Sequence, residues 1–547
     1  MAFEINEWEI WHTYTTYLDS SPLNLSKCAQ SLVESGVALC AVLSNGRTYW
    51  RSHGDVMFGQ TALDLSTGGY KCVFTLAPDE ESHSIPEGFA LEACGEAAYF
   101  LLGERKVLGE SAALSVDYVR AYLGKIVLKS TDADGSASIL NLYPVLIIYE
   151  TGVLILEFRM IGPNTPISLD DFINGGVNLF MNSFYQVEVN PGLARNATKA
   201  YHRSSKLNFL QRSRMIWLQT MHDLAVRQRT RRENDESFSF DMTPWSGQND
   251  NLQSIAITIF HTCSFLVNGP RNGLIFLFFG QPMPPDLGEF WSGRPHIHLI
   301  RFKGQCETAT ENDVIHGATF ARILARSLIE TKSNKLHLPK DARLFEDYSA
   351  YVTSASSLWV WSKKGLKDQA PYSDSNHGNL IYERQAIMEL LEYGYMLHRA
   401  LYHQVEQLSS TNRVVAARKE VLRLRLRMRE ASHSGEIRDL LENGWKELGL
   451  PALTSEIDSV LSLREAEMRS QDTLRATRVG WGIAVVFGLM TVPALADQVI
   501  LPAWNFLHIY LIADPLKARL IADALSVTFI LLVLMLTLAV FTRNGKS

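Results

Sequence analysis

No CxxC pair and no cysteine–histidine spacing typical of a zinc site occurs among the six cysteines of this 547-residue chain. Cys28, Cys40, Cys72, Cys94, Cys263 and Cys306 are scattered, which suits reduced, buried thiols and excludes a disulfide framework. Walker A, GxGxxG, GxSxG and HExxH are missing as well, so the usual phosphate cradle, nucleophile elbow and metalloprotease helix have no text here. The expectation is a protein that is not an enzyme and carries no resident cofactor. A dominant charge of one sign is also lacking. The 52 Lys and Arg against 58 Asp and Glu leave a net charge of −6 with no large block, which argues against nucleic acid as a partner. Residues 1–20 hold acidic and aromatic residues without a basic segment leading into an apolar run, so no secretory signal is read.

What is present stands out near the C-terminus. Val479–Ala496 and Ala524–Phe541 are uncharged and apolar, 18 residues each. At ~1.5 Å per residue each spans roughly 27 Å as a helix, close to the ~30 Å hydrocarbon core of a bilayer. Arg464, Arg469, Arg475 and Arg478 precede the first stretch, and Arg543 and Lys546 follow the second. The segment between them offsets Lys517 and Arg519 with Asp497, Asp514 and Asp523. The positive-inside rule then predicts a multi-pass protein of the inner (cytoplasmic) membrane with both termini in the cytoplasm.

The soluble part reads as mixed α/β. Residues 1–125 form an N-terminal mixed region, with an apolar run Gly36–Leu43 before the hairpin turn Ser44-Asn45-Gly46 and an Ala-rich stretch at 88–103. Residues 126–377 read as a cytosolic α/β domain. Val145–Tyr149 and Val153–Met160 form a strand pair about Glu150-Thr151-Gly152, and Ser168 caps a helix over 168–184. A basic helix is predicted over 206–232, a loop over 233–250, and strands over 274–279 and 296–302. His296 and His298 share a strand face, and they, like His261 beside Cys263, are taken as structural. From 378 to 476 the pattern is a helical stalk. It carries a stripe Leu391, Tyr395, His398, Tyr402 and Val405, with breaks at 409–412, 432–435 and 449–451. Ser455-x-x-Asp458 predicts the start of a long helix that runs into the first span, and residues 477–547 are the transmembrane hairpin.

This order of elements, together with Ile148-Tyr149-Glu150-Thr151-Gly152-Val153-Leu154-Ile155-Leu156, resembles the CorA family of divalent-cation transporters over roughly residues 140–547. The resemblance implies a homopentamer whose first spans line a pore and whose long helices form a funnel. It also implies a divalent cation such as Mg²⁺ as the transported or regulatory ion. The family's Gly-Met-Asn is absent, the nearest text being Phe487-Gly488-Leu489-Met490-Thr491, so Mg²⁺ selectivity is not supported. Gly480, Ala484, Gly488 and Thr491 form a small-residue stripe that suits either pore lining or close helix packing, and Asp497 suits the pore mouth. Three readings follow: a CorA-like cation channel, a non-conducting membrane scaffold, or a membrane effector gated by a small molecule or protein acting on the cytosolic domain. The last resembles CorA-like proteins of bacterial defence loci, which carry an enlarged sensor part.

Overall fold

The structure is a computed structural model. It describes residues 3–18, 22–52, 55–64, 71–76, 88–108, 116–131, 137–162, 165–182, 184, 186–204, 238–241, 251–267, 290–328, 338–341, 343, 346–369, 378–406, 415, 418, 419, 422, 435–506 and 515–544. The predicted basic helix, the strand at 274–279, most of the loop at 233–250 and most of 414–430 lie outside the described residues. The chain is mixed α+β and divides into two units, Met1–Val405 with Ala417–Asp458, and Glu406–Ala416 with Ser459–Ser547.

The first unit is built on one large sheet. Its strands are β1 (Glu4–Tyr17), β2 (Cys40–Leu43), β3 (Arg47–Ser52), β4 (Asp55–Asp64), β5 (Lys71–Leu76), β6 (Tyr118–Tyr122), β7 (Ile126–Thr131), β8 (Ala137–Tyr149), β9 (Val153–Ile161), β10 (Ile167–Ser168), β11 (Gln186–Val189), β12 (Phe238–Asp241), β13 (Trp291–Phe302), β14 (Tyr348–Val352) and β15 (Ser357–Trp361). The main path runs β14-β15-β13-β1-β9-β8-β6-β2-β3-β4-β5, and β7, β10, β11 and β12 branch from it. Strands from both sides of residue 125 share this sheet. Among the described residues every pairing is antiparallel except β13 with β15, and β1 sits between β9 and β13. The expected strand pair is β8–β9. Gly152 turns it at φ +89°, with Leu18 O only 2.8 Å from where a Cβ would stand, so no other residue fits.

Alternation along the strands gives the sheet two unlike faces. Ile10, Tyr14, Leu146, Ile148, Leu156 and Phe158 belong to an aliphatic core, into which α1 (Leu25–Glu34) also packs. The opposite face carries Arg120, Glu157, Arg159, Glu9, Arg294, His296 and His298. Against it lie α2 (Phe89–Leu108) and, after the intervening α3 (Pro191–Ser204), α4 (Leu252–Val267), α5 (Ala309–Leu324) and α6 (Lys363–Gln369), the helix α7 (Gly378–Glu406). The stretch 378–476, expected as one stalk, is therefore divided. Its first helix is a nearly all-buried cover on the sheet, belonging to the globular unit.

Burying charge here demands partners. Arg120 donates to both oxygens of Glu389, at 2.6 and 2.9 Å, and its guanidinium lies 3.5 Å from the centre of the Phe100 ring. Gln385 Nε2 donates to Glu157 at 2.6 Å. Burial and the nearby Glu389 charge push the Glu157 carboxyl well above the usual carboxylate range. Arg294 donates to Glu392 Oε1 through Nε at 2.8 Å and again through Nη2. Burial alone would raise Glu392, but Arg294 and His296 outweigh it and hold this carboxyl low. His296 Nδ1 lies 2.7 Å from Ser357 Oγ, and burial lowers the pKa of His298 to about 3.

One predicted helix extent and one predicted helix start differ from the structure. Ser168 does accept from Asp171 N, yet the helix it opens is only Leu169–Asp171, followed by a π turn over Phe172–Val177 that contains Gly175-Gly176. The long helix begins at Leu450, not at Ser455. The chain leaves α8 (Gly435–Glu447) through Gly449 at φ +74°, and Pro451 occupies the first turn of α9 (Leu450–Leu495), where its missing N–H costs nothing.

Arg120→Met should destabilise the first unit by about 3–5 kcal/mol, because it strands the Glu389 carboxylate in the interior. Adding Glu389→Met should recover most of that loss. Chemical denaturation of the single and double variants measures both.

Candidate functional site

Between α2 and the polar face of the sheet lies a cleft of about 800 Å³. Its charged groups and most of its tyrosines come from five distant segments: Glu7 and Glu9 on β1, Glu92, Glu96 and Tyr99 on α2, Tyr122 on β6, Arg159 on β9, and Tyr382 on α7, with β8 and β13 completing the lining. Arg159 is the organising group. Its Nε and Nη2 donate to Glu9 at 2.7 and 3.1 Å, and its Nη1 donates to Glu96 Oε2 at 2.7 Å. The guanidinium also lies 5.1 Å from the Tyr382 ring centre and 5.4 Å from that of Trp11, within cation–π range. Tyr99 and Tyr382 stack at 6.0 Å and 28°.

Not every polar atom is satisfied. Burial raises the Glu96 carboxyl, although Arg159 and Arg120 pull the other way, and its Oε1 is buried with no hydrogen-bond partner. Tyr122 is 3% exposed, and its hydroxyl forms no well-aligned hydrogen bond. The neighbouring Arg120 has no acceptor to offer, so the hydroxyl proton is left over. Burial followed by the Glu96 charge pushes the Tyr122 phenol well up, so it stays neutral and able to donate. Among the described residues no cluster of His, Cys, Asp and Glu is arranged to hold a metal ion.

None of these residues was singled out by sequence reasoning. One signal was available: Gln385, Glu389 and Glu392 recur at four- and three-residue spacing with Met396, putting polar groups on a stripe that also carries core residues.

The residues that the sequence did single out lie in the second unit. Val479–Ala503 is long and apolar enough to cross a membrane, with mean hydropathy 1.9 and only 12% of the span's apolar window buried. The helix passes through a π turn at Ala496–Ile500 into α10 (Leu501–Phe506), and α11 (Pro515–Asn544) packs back on it. Gly488 meets this helix: a Cβ there would stand 2.9 Å from Ile530 Cγ2. Val492 and Ala496, at successive four-residue steps, are buried, as are Ser526 and Ala522 on α11. Gly488 thus lies against α11. Gly480 has open space around it, Ala484 and Thr491 are exposed, and Thr491 Oγ1 donates to Gly488 O at 2.7 Å. Asp497 accepts from Arg519 Nη2 at 3.1 Å.

Gly488→Ala should loosen this seam and lower the thermal stability of the solubilised protein, at an order of 1–3 kcal/mol for overpacking. Ile530→Ala should restore it by removing the clashing methyl. Fluorescence-detected size-exclusion chromatography after heating reads both effects.

Comparison with protein-family models, with curated proteins and with solved structures finds no match to this chain.

Proposed function

We propose that the chain is a membrane effector: a cytosolic α+β sensor joined to a C-terminal helical hairpin that forms a cation-conducting pore on self-association. The observation that carries this reading is the role of α7. It contributes Tyr382 to the cleft and, two turns on, docks α8. Trp445 Nε1 donates to Leu391 O at 3.2 Å, and a Cβ at Gly444 would meet the tip of the Leu391 side chain. From α8 the chain turns once, at Gly449, into the 46-residue helix α9. At ~1.5 Å per residue that helix is a rod of roughly 69 Å, ending in exposed apolar turns such as Phe487 and Met490. A ligand that shifts α7 would act on α8, which the turn at Gly449 joins to α9.

In this reading the hairpin crosses the inner membrane twice, both termini are cytoplasmic, and the assembly is a ring, pentameric by the CorA resemblance. The apolar side chains left exposed on α9 and α11 support it, since lipid or neighbouring copies would cover them. A scaffold without conduction is the second reading. The Asp497–Arg519 pair favours it, because it offsets the charge at the mouth.

Purified full-length protein in liposomes should conduct K⁺ in preference to Cl⁻ and discriminate poorly for Mg²⁺, which keeps its water unless octahedral oxygen ligands replace it. Asp497→Asn should shift the reversal potential under a KCl gradient toward that of a non-selective pore. Arg519→Gln, which frees Asp497, should shift it the other way. Absence of conductance, or a reversal potential that neither variant moves, would overturn the pore assignment.

A further inference from the structure

We propose that Cys40 and Cys94 are a redox pair, which hydrogen peroxide joins in a disulfide that staples α2 to β2. As a control on the pore this rests on the effector reading of the chain, while the bond itself rests on the two thiols and their surroundings.

The two sulfurs stand 3.8 Å apart, in contact, although the residues lie 54 apart in the chain. Among the described residues no other two cysteine sulfurs meet. Cys40 sits in β2 and Cys94 on α2, both fully buried in a core they share with Ala93 and Ala97. These small neighbours let the helix lie close on the strand. The sulfurs need to approach by only about 1.8 Å to reach the ~2.05 Å of a disulfide bond.

A buried thiol is inert unless an oxidant reaches it. The cleft beneath α2 supplies the route. Ala93, Gly95 and Glu96, which bracket Cys94, line it, as does Tyr122, the strand partner of Cys40. A Cβ at Gly95 would meet nothing within 4 Å, so the wall beside Cys94 is thin. Hydrogen peroxide is little larger than water and suits that path. In a reducing cytosol such a pair stays as thiols until an oxidant arrives, the pattern of a sensing disulfide and not of a structural one.

Cys94 is the attacking sulfur. The hydrogen bond with Cys40 holds the Cys94 thiol below its ordinary value despite burial, with Thr61 adding to the effect, and the same bond raises Cys40. The Cys94 thiolate attacks one peroxide oxygen, forming an S–O bond as the O–O bond breaks and hydroxide leaves. The Cys40 sulfur then attacks the sulfenic sulfur of Cys94. The S–S bond forms, the S–O bond breaks, and the hydroxyl departs as water with the Cys40 proton. Two thiols and one peroxide thus become one disulfide and two waters, the peroxide taking the two electrons. The bond would hold the helix whose Tyr99 and Phe100 contact Tyr382 of α7.

The test is graded hydrogen peroxide on the full-length protein in nanodiscs. Acid quenching, alkylation in denaturant and peptide mass mapping follow. A Cys40–Cys94 cross-link is expected at doses that leave Cys28, Cys263 and Cys306 as thiols, and dithiothreitol should reverse it. Cys40→Ala should stop Cys94 at the sulfenic acid, trapped by dimedone, whereas Cys94→Ala should leave Cys40 a thiol. Amide exchange along α2 should slow by at least about tenfold in the oxidised wild type, a modest share of what a disulfide commonly contributes. The proposal is overturned if Cys40 and Cys94 remain thiols, if Cys94 proceeds to sulfinic acid without a cross-link, or if the cross-link leaves exchange along α2 unchanged. The wild-type map decides this even where a variant misfolds. Liposome flux before and after oxidation tests the gating alone. Flux that the cross-link does not alter overturns redox control of the pore, and absence of flux in both states counts against the pore, not against the disulfide.

Discussion

Arg120 and Glu389 are the pair on which the first unit depends. A guanidinium and a carboxylate that have both left water are tolerable only with near-ideal geometry and with their other atoms occupied. Here Glu389 supplies both oxygens, the Phe100 ring covers the guanidinium face, and Gln385 donates to the neighbouring Glu157. These contacts fix α2 and α7 on the polar face of the sheet in one register. An all-aliphatic interface would let a long helix slide at little cost, whereas this one penalises any register that breaks the pair. The cleft is a consequence. Tyr122 stands two residues from Arg120, Glu96 one helical turn before Phe100, and Tyr382 about two turns before Glu389.

The two faces of the sheet thus do different work. The aliphatic face, with Ile10, Leu146, Leu156 and Phe158, gains stability from burial at roughly 25 cal/mol per Å² and asks little about orientation. The polar face gives up part of that gain for specificity, and in doing so it leaves polar groups that water or a ligand can meet. Arg159 shows both roles at once. It neutralises Glu9 and Glu96, and it lines the cleft as a cation already resting on aromatic rings.

How much of this was legible in the sequence follows from how local each signal is. The hairpins at Ser44-Asn45-Gly46 and Glu150-Thr151-Gly152, the Ser168 cap, the break at Gly449 and the apolar stretch from Val479 are each written within a few residues, and each was found. The helix start at Leu450 was missed because Ser455-x-x-Asp458 imitates a cap, while Pro451 just after a glycine is the stronger signal. The extent of the helix after Ser168 was overcalled because a π turn across Gly175-Gly176 leaves no pattern that differs from a helix. The cleft was invisible for a deeper reason: its groups are brought together by pairings such as β1 with β9, which join residues about 150 apart. Placing β1 in the middle of the sheet, between strands that follow it by more than a hundred residues, is a tertiary choice with no local trace. The small-residue stripe was legible as a stripe, but the closeness of Gly488 to Ile530, 42 residues on, was not.

The central claim is that the apolar C-terminal helices hold this sensor at a bilayer. Alkaline carbonate extraction of membranes from cells expressing the full chain tests it most directly, because carbonate strips peripheral proteins and leaves integral ones. The account predicts that the chain stays in the membrane pellet, and that replacing Val486 and Phe487, both exposed on the apolar segment, with aspartate releases it. Recovery of the unaltered chain in the soluble fraction would contradict the account.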